Sequence, residues 1–458
     1  MKTVFLTSFE GMEVKNILRT SILTTLLKER DICLVIFTHT PERMAYHQRE
    51  FHDPRILYEI VENPPVQGMN LFLQRMKFLL LKTETTDLRR RMRYQEDGNF
   101  FTYASGLTLN RLLARKTMRR AMRFLDYHFV NNRQYDGYFE KYHPALVVLG
   151  NLFTEPETDF LRAAKKWGVR TVGFINSWDK TTARSVLRGL PDKIIVFNDI
   201  VKGEVVAYND ADARDIFVGG MPHFDHYFSG IVTPRDQFLA SMRLPPNCRY
   251  IVYAPIGNAW NNSDWEIIDL LYRLNEEGKF GKDIAILVRF PPNDFIDPHE
   301  LEQRPHLLYE YPGFRFSTKR GTDWDMGEQE MRHLADTLAH MALLIGYTSS
   351  IAVDAAVFDK PVVNIFFEIS AKKSLLVSPM HYYSMTHYKK AFAAGGVRRA
   401  DSADALVAWV RRYLENPALD REGRRRIVRE QCAITDGTSG AQIAAFILDI
   451  LKKSARSA

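Results

Sequence analysis

Short apolar runs alternate with helix-like runs along the whole chain, and this alternation is the feature that most restricts the fold. The apolar runs lie at 4–9, 32–37, 145–150, 171–175, 194–198, 216–220, 250–255, 284–290, 341–347 and 362–367. Strands that alternate with helices in this way are typical of doubly wound α/β domains. The chain has 458 residues, and a single core stops growing at roughly 250–300 residues, so we expect two domains.

The two halves of the chain are predicted to be tandem Rossmann-like domains. We place the first domain at 1–230 and the second at 231–435, with a linker at 229–234. Residues 67–142 indicate a mostly helical insertion in the first domain. The final stretch, 436–458, predicts an amphipathic helix that either packs locally or crosses back onto the first domain.

The positive charge of the chain is concentrated in one segment, 82–123. This segment holds 11 Lys and Arg against 4 Asp and Glu, and the difference, 11 − 4 = +7, equals the net charge of the whole chain. A local basic patch fits an anionic lipid surface, nucleic acid or a phosphate-rich ligand. A solvated helix surface is the ordinary alternative, because most charge runs are of that kind.

The three cysteines and the N-terminus favour a reducing compartment. Cys33, Cys248 and Cys432 are far apart and odd in number, which indicates reduced structural thiols. The N-terminus predicts a first strand and not a signal peptide, and the longest apolar window, 339–358, is interrupted by polar residues. We therefore expect a cytoplasmic protein without a membrane span.

The sequence IGYTSSIAVDAA at 345–356 is the strongest candidate for a ligand site. Thr348, Ser349 and Ser350 lie where a strand ends and a helix begins, and such a turn binds phosphate through hydroxyl and backbone N–H groups. Asp354 lies one helical turn beyond Ser350 and could accept hydrogen bonds from sugar or ribose hydroxyls. An ordinary helix cap explains the same residues equally well.

Four more residues complete the predicted donor-binding set. Arg289 ends a buried strand, where a guanidinium suits a diphosphate, although a salt bridge is as good an explanation. Gly219 and Pro222 lie in VGGMPHFDHY at 218–227, where a bare turn is the alternative. Gly257 follows the first strand of the second half.

A second set of residues is predicted on the acceptor side. The sequence GFINSWDKTTAR at 173–184 follows a strand, so that Asp179 could act as a general base and Trp178 could stack on a sugar. Lys180 and, after the first strand, Glu10 and Gly11 belong to the same set. A satisfied loop carboxylate is the more common explanation for Asp179 alone.

No metal site is predicted. The histidines lack any ligand spacing, and the Asp-x-Asp pattern at 323–325 is expected by chance in a chain of this length.

The motifs together resemble a known group of enzymes. The run at 336–366 looks like the donor-binding segment of CDP-glycerol glycerophosphotransferase-like proteins and of bacterial surface-polysaccharide glycosyltransferases of the GT-B kind. It matches their Ser/Thr turn, their acidic residue and their K-P-V/I-V/I strand, here at 360–363. VGGMPHFD at 218–225 and NSWDKTTAR at 176–184 are similar to other segments of these families. DGTSGAQIAAFI at 436–447 resembles the start of their last helix, with Gln442 in place of Arg.

The resemblance implies a fold and a function. It covers the chain from about residue 145 onward and implies the GT-B architecture, with two parallel sheets that face each other across a cleft and a nucleotide-sugar donor bound by the C-terminal domain. It also implies catalysis without a metal and no cofactor besides the donor. The donor would be a UDP-linked or a CDP- or CMP-linked sugar, and the acceptor a cell-surface glycan or a lipid-linked molecule.

Two departures from the glycerophosphotransferase pattern bear on the reaction. Trp178-Asp179-Lys180 replaces W-H-G, and Arg289-Phe290-Pro291-Pro292 replaces K-x-H-P, so both histidines of the pattern are missing. We therefore expect sugar transfer, whereas glycerophosphotransfer, nucleotide-sugar 2-epimerisation and a membrane-associated scaffold with a relic fold are the alternatives. Because a lipid-linked acceptor lies at the inner leaflet, we also expect residues 82–123 to contact an anionic membrane, and we expect no nucleic acid partner.

Overall fold

The computed structural model of the chain describes residues 1–64, 66–257, 261, 263–317, 323–370 and 374–454. Two compact units make up the chain. The first comprises 1–90, 99–225 and 432–458, and the second comprises 91–98 and 226–431.

The first unit is built on a seven-stranded sheet in which every neighbouring pair is parallel. The strand order is β3-β2-β1-β4-β5-β6-β7. The strands are β1 (Lys2–Thr7), β2 (Ile32–Thr38), β3 (Ile56–Ile60), β4 (Leu146–Leu149), β5 (Arg170–Phe174), β6 (Lys193–Val196) and β7 (Ile216–Val218).

The second unit is built on a six-stranded parallel sheet with the order β10-β9-β8-β13-β14-β15. A short antiparallel pair, β11 and β12, lies outside this sheet. The strands are β8 (Arg249–Ala254), β9 (Ile284–Arg289), β10 (Leu308–Glu310), β11 (Phe314–Arg315), β12 (Trp324–Asp325), β13 (Leu343–Gly346), β14 (Val362–Ile365) and β15 (Val397–Ala400).

Helices connect the strands in both units. Those of the first half of the chain are α1 (Gly11–Glu13), which continues as a π-helical turn at Val14–Leu18, α2 (Ser21–Lys28), α3 (Pro41–Glu50), α4 (Gly68–Leu79), α5 (Glu84–Asp97), α6 (Phe100–Leu113), α7 (Lys116–Phe129), α8 (Asp136–Tyr142), α9 (Glu155–Lys166), α10 (Lys180–Ala183), α11 (Asp199–Asn209) and α12 (Asp225–Phe228). Those of the second half are α13 (Arg235–Ser241), α14 (Asp264–Glu276), α15 (Pro298–Glu302), α16 (Glu328–His340), α17 (Ile351–Val357), α18 (Thr386–Phe392), α19 (Ala403–Glu415), α20 (Arg421–Cys432) and α21 (Ser439–Ser454). Short 3-10 turns lie at Ala213–Asp215, Pro222–Phe224, Leu375–Val377 and Pro379–Ser384.

Burial on both faces of the sheets explains why their central strands are continuous apolar runs. Every residue of β2 is buried. On β1, Val4 and Leu6 face one hydrophobic core, and Phe5 faces the core on the other side. This alternation follows from the two-residue period of a strand, and a sheet covered by helices on both faces requires apolar residues at every position. The prediction of an α/β fold with two parallel sheets is confirmed.

The last helix, α21, belongs to the first unit. It packs against α2, and its Ile443 and Ile447 lie in the same core as Leu23 and Leu26. Asp225 accepts hydrogen bonds from the N–H groups of Ser439 (3.1 Å) and Gly440 (2.8 Å). A side-chain carboxylate from a distant part of the chain thus satisfies the free N–H groups at the start of the helix.

Candidate active site

The strand order places a topological switch point between β1 and β4 in the first unit. Chain connections leave these two strands in opposite directions, which opens a crevice at their carboxyl ends where α/β sheets bind ligands. Three loops lie at this edge, after β1, β4 and β5. They carry residues 8–13, 150–157 and 175–180, and the acceptor-side set predicted from the sequence is on the first and third loops.

Glu157 is the most completely bonded side chain at this edge. One of its carboxyl oxygens accepts hydrogen bonds from the hydroxyl of Thr7 (2.6 Å) and the N–H of Asn151 (2.6 Å). The other accepts from the hydroxyl of Thr154 (2.7 Å). Burial raises the pKa of Glu157 to about 8, although these hydrogen bonds and the charge of Lys180 oppose the shift. Burial thus favours the protonated form of this carboxyl group.

Glu13 joins the loop after β1 to the loop after β5. Its Oε2 accepts a hydrogen bond from the N–H of Glu10, and its Oε1 accepts from the side-chain amide of Asn176 at 3.1 Å. Burial raises the pKa of Glu13 well above its usual range, and the charges of Glu10 and Glu157 raise it further. Lys180 acts in the opposite direction on both carboxyl groups. The edge thus holds two interacting buried acids and one nearby cation.

This arrangement suits proton transfer. A buried carboxyl group that keeps its proton near neutral pH can donate it, and an ionised one can accept it. Glu13 and Glu157 are fully buried, whereas Glu10, Trp178 and Asp179 are half-buried. Glu10, Trp178 and Asp179 are therefore accessible to a molecule at this edge, and Glu13 and Glu157 lie beneath the surface.

The structure brings the predicted acceptor-side residues to this edge. Gly11 starts α1 directly after Glu10, and Asp179 precedes α10, which begins at the buried Lys180. Asp179 accepts a hydrogen bond from the hydroxyl of Ser177 and does not cap α10 with its side chain. Their contact with an acceptor stays a prediction.

Sequence inspection missed Glu13 and Glu157. Glu13 lies in FEGME after the first strand, and Glu157 lies in the first turn of a helix after the strand at 146–149. Acidic residues in the first helical turn are common, because they favour the positive end of the helix dipole. The usable signal was that both follow the two strands that flank the switch point, and this requires the strand order.

The second unit has its own switch point between β8 and β13. Ala254 pairs with Gly346 at the carboxyl ends of these strands, so the turn at Gly257 and the turn at 347–350 leave the sheet side by side. Gly257 has a φ of +94°, and its N–H donates to Asp264 at 2.9 Å. An added Cβ at Gly257 would lie 2.8 Å from Oδ2 of Asp294, so only glycine fits there.

Asp264 supports the Gly257 turn from inside the unit. It accepts hydrogen bonds from the hydroxyl of Tyr253 (2.9 Å) and the side-chain amide of Asn261 (3.0 Å), besides the N–H of Gly257. Burial raises the pKa of Asp264 to about 6 in spite of these hydrogen bonds. The turn is thus fixed by a buried carboxyl group.

The Ser/Thr turn after β13 keeps polar groups available. Thr348 and Ser349 are half-buried and Ser350 is exposed. Ser350 occupies the cap position of α17 without a side-chain capping hydrogen bond, and Ser349 accepts only a long one, 3.5 Å, from the N–H of Ile351. The capping alternative therefore does not account for Ser350. Because α17 has only seven residues, local hydroxyl and N–H groups would contribute more to phosphate binding than the helix dipole.

The side chain of Asp354 is buried, although the sequence predicted that it contacts sugar or ribose hydroxyls. It lies on the buried face of α17 and accepts a hydrogen bond from the hydroxyl of Tyr227 at 2.9 Å. One carboxylate oxygen is thus engaged inside the unit, and a contact with donor hydroxyls stays a prediction.

Arg289 forms the salt bridge that was its alternative explanation. It pairs with Glu310 of β10, which also accepts from the hydroxyl of Thr337 (3.0 Å) and contacts Nε2 of His333 (2.7 Å). Burial alone would raise the pKa of Glu310, but His333 and Arg289 outweigh it, and the pKa is lowered. Glu310 already neutralises the guanidinium, so a diphosphate would have to compete for it.

Gly219 and Gly220 have a packing explanation. They follow β7 in the first unit, and a Cβ at Gly219 would lie 2.5 Å from Cγ1 of Ile443. Gly220 has a φ of +75°, and its Cβ would lie 2.4 Å from Oγ of Ser439. Both glycines let α21 approach the sheet closely, and Pro222 starts the buried turn that follows. Donor contact by Gly219 and Pro222 stays a prediction.

The basic segment 82–123 is divided between the interior and the surface. Arg119 binds both carboxylate oxygens of Asp210 (2.8 and 2.7 Å), and Arg123 donates to the carbonyl groups of Asn209 (2.7 Å) and Leu187 (3.1 Å). Burial lowers the pKa of Arg123 to about 10, against the charge of Asp210. Arg119 and Arg123 thus direct their charge into the first unit, and contact of residues 82–123 with an anionic membrane stays a prediction.

The described residues include neither a membrane-spanning helix nor a metal-binding cluster. No helix within them is long and apolar enough to cross a membrane. Within the same residues, no three His, Cys, Asp or Glu side chains are grouped so that they could hold a metal ion.

Solved structures share this fold at very low identity. UDP-GlcNAc 2-epimerase from Neisseria meningitidis bound to UDP-GlcNAc is 12% identical, with a TM-score of 0.55 over 98% of this chain and 100% of that one. MnaA of S. aureus with UDP is 11% identical, with a TM-score of 0.53 over 98% of each chain. A glycosyltransferase from Rickettsia africae is 10% identical, with a TM-score of 0.49 over 98% of each. No protein-family model and no curated protein matches the chain. The two structures with TM-scores above 0.5 support the GT-B type of fold and nothing finer.

Proposed function

We propose that this chain is a glycosyltransferase that binds a nucleotide-sugar donor at the carboxyl edge of its second unit. One observation carries the proposal. The glycine turn after β8 and the Ser/Thr turn after β13 lie side by side at a switch point, and the exposed hydroxyl of Ser350 makes no capping hydrogen bond. Such a pair of turns suits a diphosphate. Two proteins of the same fold bind UDP or UDP-GlcNAc, which supports a uridine nucleotide as the first ligand to test.

The reaction follows from the chemistry of the two edges. The bond between the anomeric carbon and the diphosphate breaks, and its electron pair leaves with the nucleoside diphosphate. Thr348, Ser349 and Ser350 would stabilise that leaving group. The acceptor oxygen forms the new bond to the anomeric carbon through an oxocarbenium-like transition state, and its proton passes to Asp179 if the enzyme inverts. We assign Arg289 a supporting role, because Glu310 already pairs with it.

The remaining parts of the proposal concern partners and place. The acceptor is a cell-surface glycan or a lipid-linked molecule, and the protein works in the cytoplasm or at the inner face of the plasma membrane. Transfer needs no metal and no cofactor besides the donor. The motifs at 176–184 and 336–366, which resemble those of surface-polysaccharide enzymes, support this assignment.

A second candidate is nucleotide-sugar 2-epimerisation. The interacting carboxyl groups of Glu13 and Glu157 favour it, because inversion at C2 requires one group to remove a proton and another to supply one. The sequence alone did not assemble such a pair. Epimerisation needs no acceptor and exchanges the C2 hydrogen with solvent.

One experiment separates the candidates. The purified chain is incubated in deuterated water with UDP-GlcNAc, with and without a lipid-linked oligosaccharide fraction, and both the sugar and the nucleotide are followed by NMR. Release of UDP that depends on the acceptor supports the transferase. Deuterium at C2 without an acceptor assigns the epimerase. The same titrations with CDP-glycerol test glycerophosphotransfer, and failure of every nucleotide to bind would leave a non-catalytic scaffold.

A further inference from the structure

The outer faces of α4, α6 and α7 expose an unusual share of the large apolar side chains. Seven phenylalanines are exposed among the described residues, and six of them lie between residues 72 and 129. They are Phe72, Phe78, Phe100, Phe101, Phe124 and Phe129, whereas the seventh is Phe314. Single exposed apolar residues are normal on a protein surface, but a concentration of this kind marks an interaction site.

The inner faces of the same helices are fully explained by packing. Leu73 on α4 and Met122 on α7 belong to a small hydrophobic core. Asn110 on α6 is buried and donates to the carbonyl groups of Leu79 (2.6 Å) and Leu81 (2.9 Å). The helices are thus held in place from one side, and their exposed rings contribute nothing to that core.

The exposed charged side chains on α4, α6 and α7 are all basic. Neither α4 nor α6 contains an Asp or Glu, and the one acidic residue of α7, Asp126, is buried against Arg162 and Arg188. The exposed faces carry Arg75 on α4 and Lys116 and Arg120 on α7. These three helices therefore present no exposed carboxylate of their own to an anionic partner.

Aromatic and basic residues alternate along the exposed surface of α4 and of α7. On α4, Met69, Phe72, Arg75 and Phe78 are spaced three apart and are all exposed. On α7, Lys116, Arg120 and Phe124 are spaced four apart and are all exposed. A helix with this pattern lies in the interface of a bilayer, where the rings enter the acyl boundary and the cations remain at the headgroups.

We propose that the outer faces of α4, α6 and α7 dock on an anionic lipid bilayer, with phenylalanine side chains inserted and Lys and Arg at the headgroups. A second copy of the chain is a poor occupant, because a symmetric contact would place two basic faces together without an acidic partner on these helices. The docking does not depend on the reaction proposed above. It replaces the electrostatic contact expected from residues 82–123 by one in which apolar insertion is essential.

A dye-labelling experiment tests insertion directly. All three native cysteines are buried, so a Phe101→Cys variant can be labelled selectively on the full chain with an environment-sensitive dye. Phe101 is 85% exposed, and Phe314, 50% exposed in the second unit, gives the matched Phe314→Cys control. Vesicles of phosphatidylcholine mixed with phosphatidylglycerol should shift the emission at position 101 to the blue and leave position 314 unchanged. Phosphatidylcholine alone should give a much weaker shift.

Co-sedimentation with the same vesicles tests the two contributions separately. The Phe72→Ser/Phe124→Ser variant and the Lys116→Glu/Arg120→Glu variant should each lower the partition coefficient at least tenfold, and salt should lower it for the wild type. Arg425→Glu, on an exposed residue of the second unit, is the charge control and should bind as the wild type does. Unchanged melting temperatures would show that all variants fold.

Three results would overturn the proposal. The first is a wild type that does not sediment with anionic vesicles. The second is binding that persists in the Phe→Ser variant with no emission shift at position 101, which would mean a purely electrostatic contact. The third is a shift at position 101 that rises with protein concentration in the absence of vesicles, which would assign the face to a second copy.

Discussion

The carboxyl edges of the two sheets share a switch-point topology but carry different kinds of polar group. At the edge of the first unit, Glu13 and Glu157 are fully buried, interact electrostatically and carry raised pKa values. At the edge of the second unit, the turn at 348–350 holds only neutral hydroxyl and N–H groups. Buried acids suit proton transfer, whereas a neutral polar turn suits an anion that arrives with its own charge. The second edge also has a buried acid, Asp264, but its hydrogen bonds hold the Gly257 turn. The proposal therefore assigns proton transfer to the first edge and nucleotide binding to the second.

The largest effect is expected at the first edge. Asp179→Asn should lower the rate of sugar transfer by roughly 10²–10⁴, the usual contribution of a general base. Nucleotide affinity should stay unchanged, and the melting temperature should stay within a few degrees, because Asp179 does not cap α10. Asp236→Asn, on an exposed residue of α13, is the control. A folded Asp179→Asn enzyme with near-normal turnover would show that Asp179 is not the general base.

The next effect is expected at the second edge. Ser350→Ala should weaken nucleotide binding more than tenfold, since a hydrogen bond to a charged group contributes about 1.5–3 kcal/mol. Isothermal titration measures the affinity, and Ser241→Ala, on exposed Ser241 of α13, is the control. If the Ser350→Ala variant bound the nucleotide with wild-type affinity, the donor would have to bind elsewhere.

Arg289→Ala is a less selective test of the same edge. It should also weaken nucleotide binding, but it removes the guanidinium partner of the buried Glu310 and should lower the melting temperature as well. After the substitution, Glu310 keeps His333 and Thr337 as side-chain partners. Thermal unfolding separates a loss of stability from a loss of affinity, and unchanged values of both would mean that the ion pair serves neither role.

A pH-dependent effect sharpens the contrast between the two edges. The folded-state pKa of Glu157 is raised to about 8 from an ordinary value of 4.5. Its contribution to stability is fully present below pH 4.5 and is lost as pH rises towards 8, because the unfolded chain ionises first. The amide that replaces this carboxyl group in the Glu157→Gln variant cannot ionise. The melting temperature of this variant should therefore rise relative to that of the wild type as pH increases from 4.5 to about 8. A difference that does not change with pH would show that Glu157 is already ionised in the folded state.

The smallest effect is expected from chelation. Removal of divalent metal with EDTA should leave transfer within the error of the assay, since we propose that protein groups alone stabilise the leaving diphosphate. Activity that is lost with EDTA and restored by one divalent cation would contradict this part of the scheme.

Local patterns were sufficient to predict the fold. The run ICLVIF predicted a strand at 32–37, and β2 spans Ile32–Thr38 because both of its faces are buried. The edge strand β3 was not predicted, since ILYEI is mostly half-exposed and includes a glutamate. The helix-like run between the strands at 4–9 and 32–37 is divided, because Thr20 accepts a hydrogen bond from the N–H of Ile22 and starts α2 anew.

The sites were harder to predict, because they depend on partners that are far apart in sequence. Glu13 and Asn176 are 163 positions apart, and Arg119 and Asp210 are 91 apart. No local pattern indicates that the first pair assembles an edge or that the second removes an arginine from the surface. The turn at 348–350 was found because its strand, turn and helix are contiguous.

Hydrogen–deuterium exchange of the wild-type chain with and without UDP tests the central claim most directly, because it reports both edges at once. The amides of 346–354 should exchange more slowly when UDP is bound, while those of 8–13 and 175–180 should exchange at unchanged rates. Protection confined to 8–13 and 175–180, with none at 346–354, would contradict the assignment of nucleotide binding to the second edge.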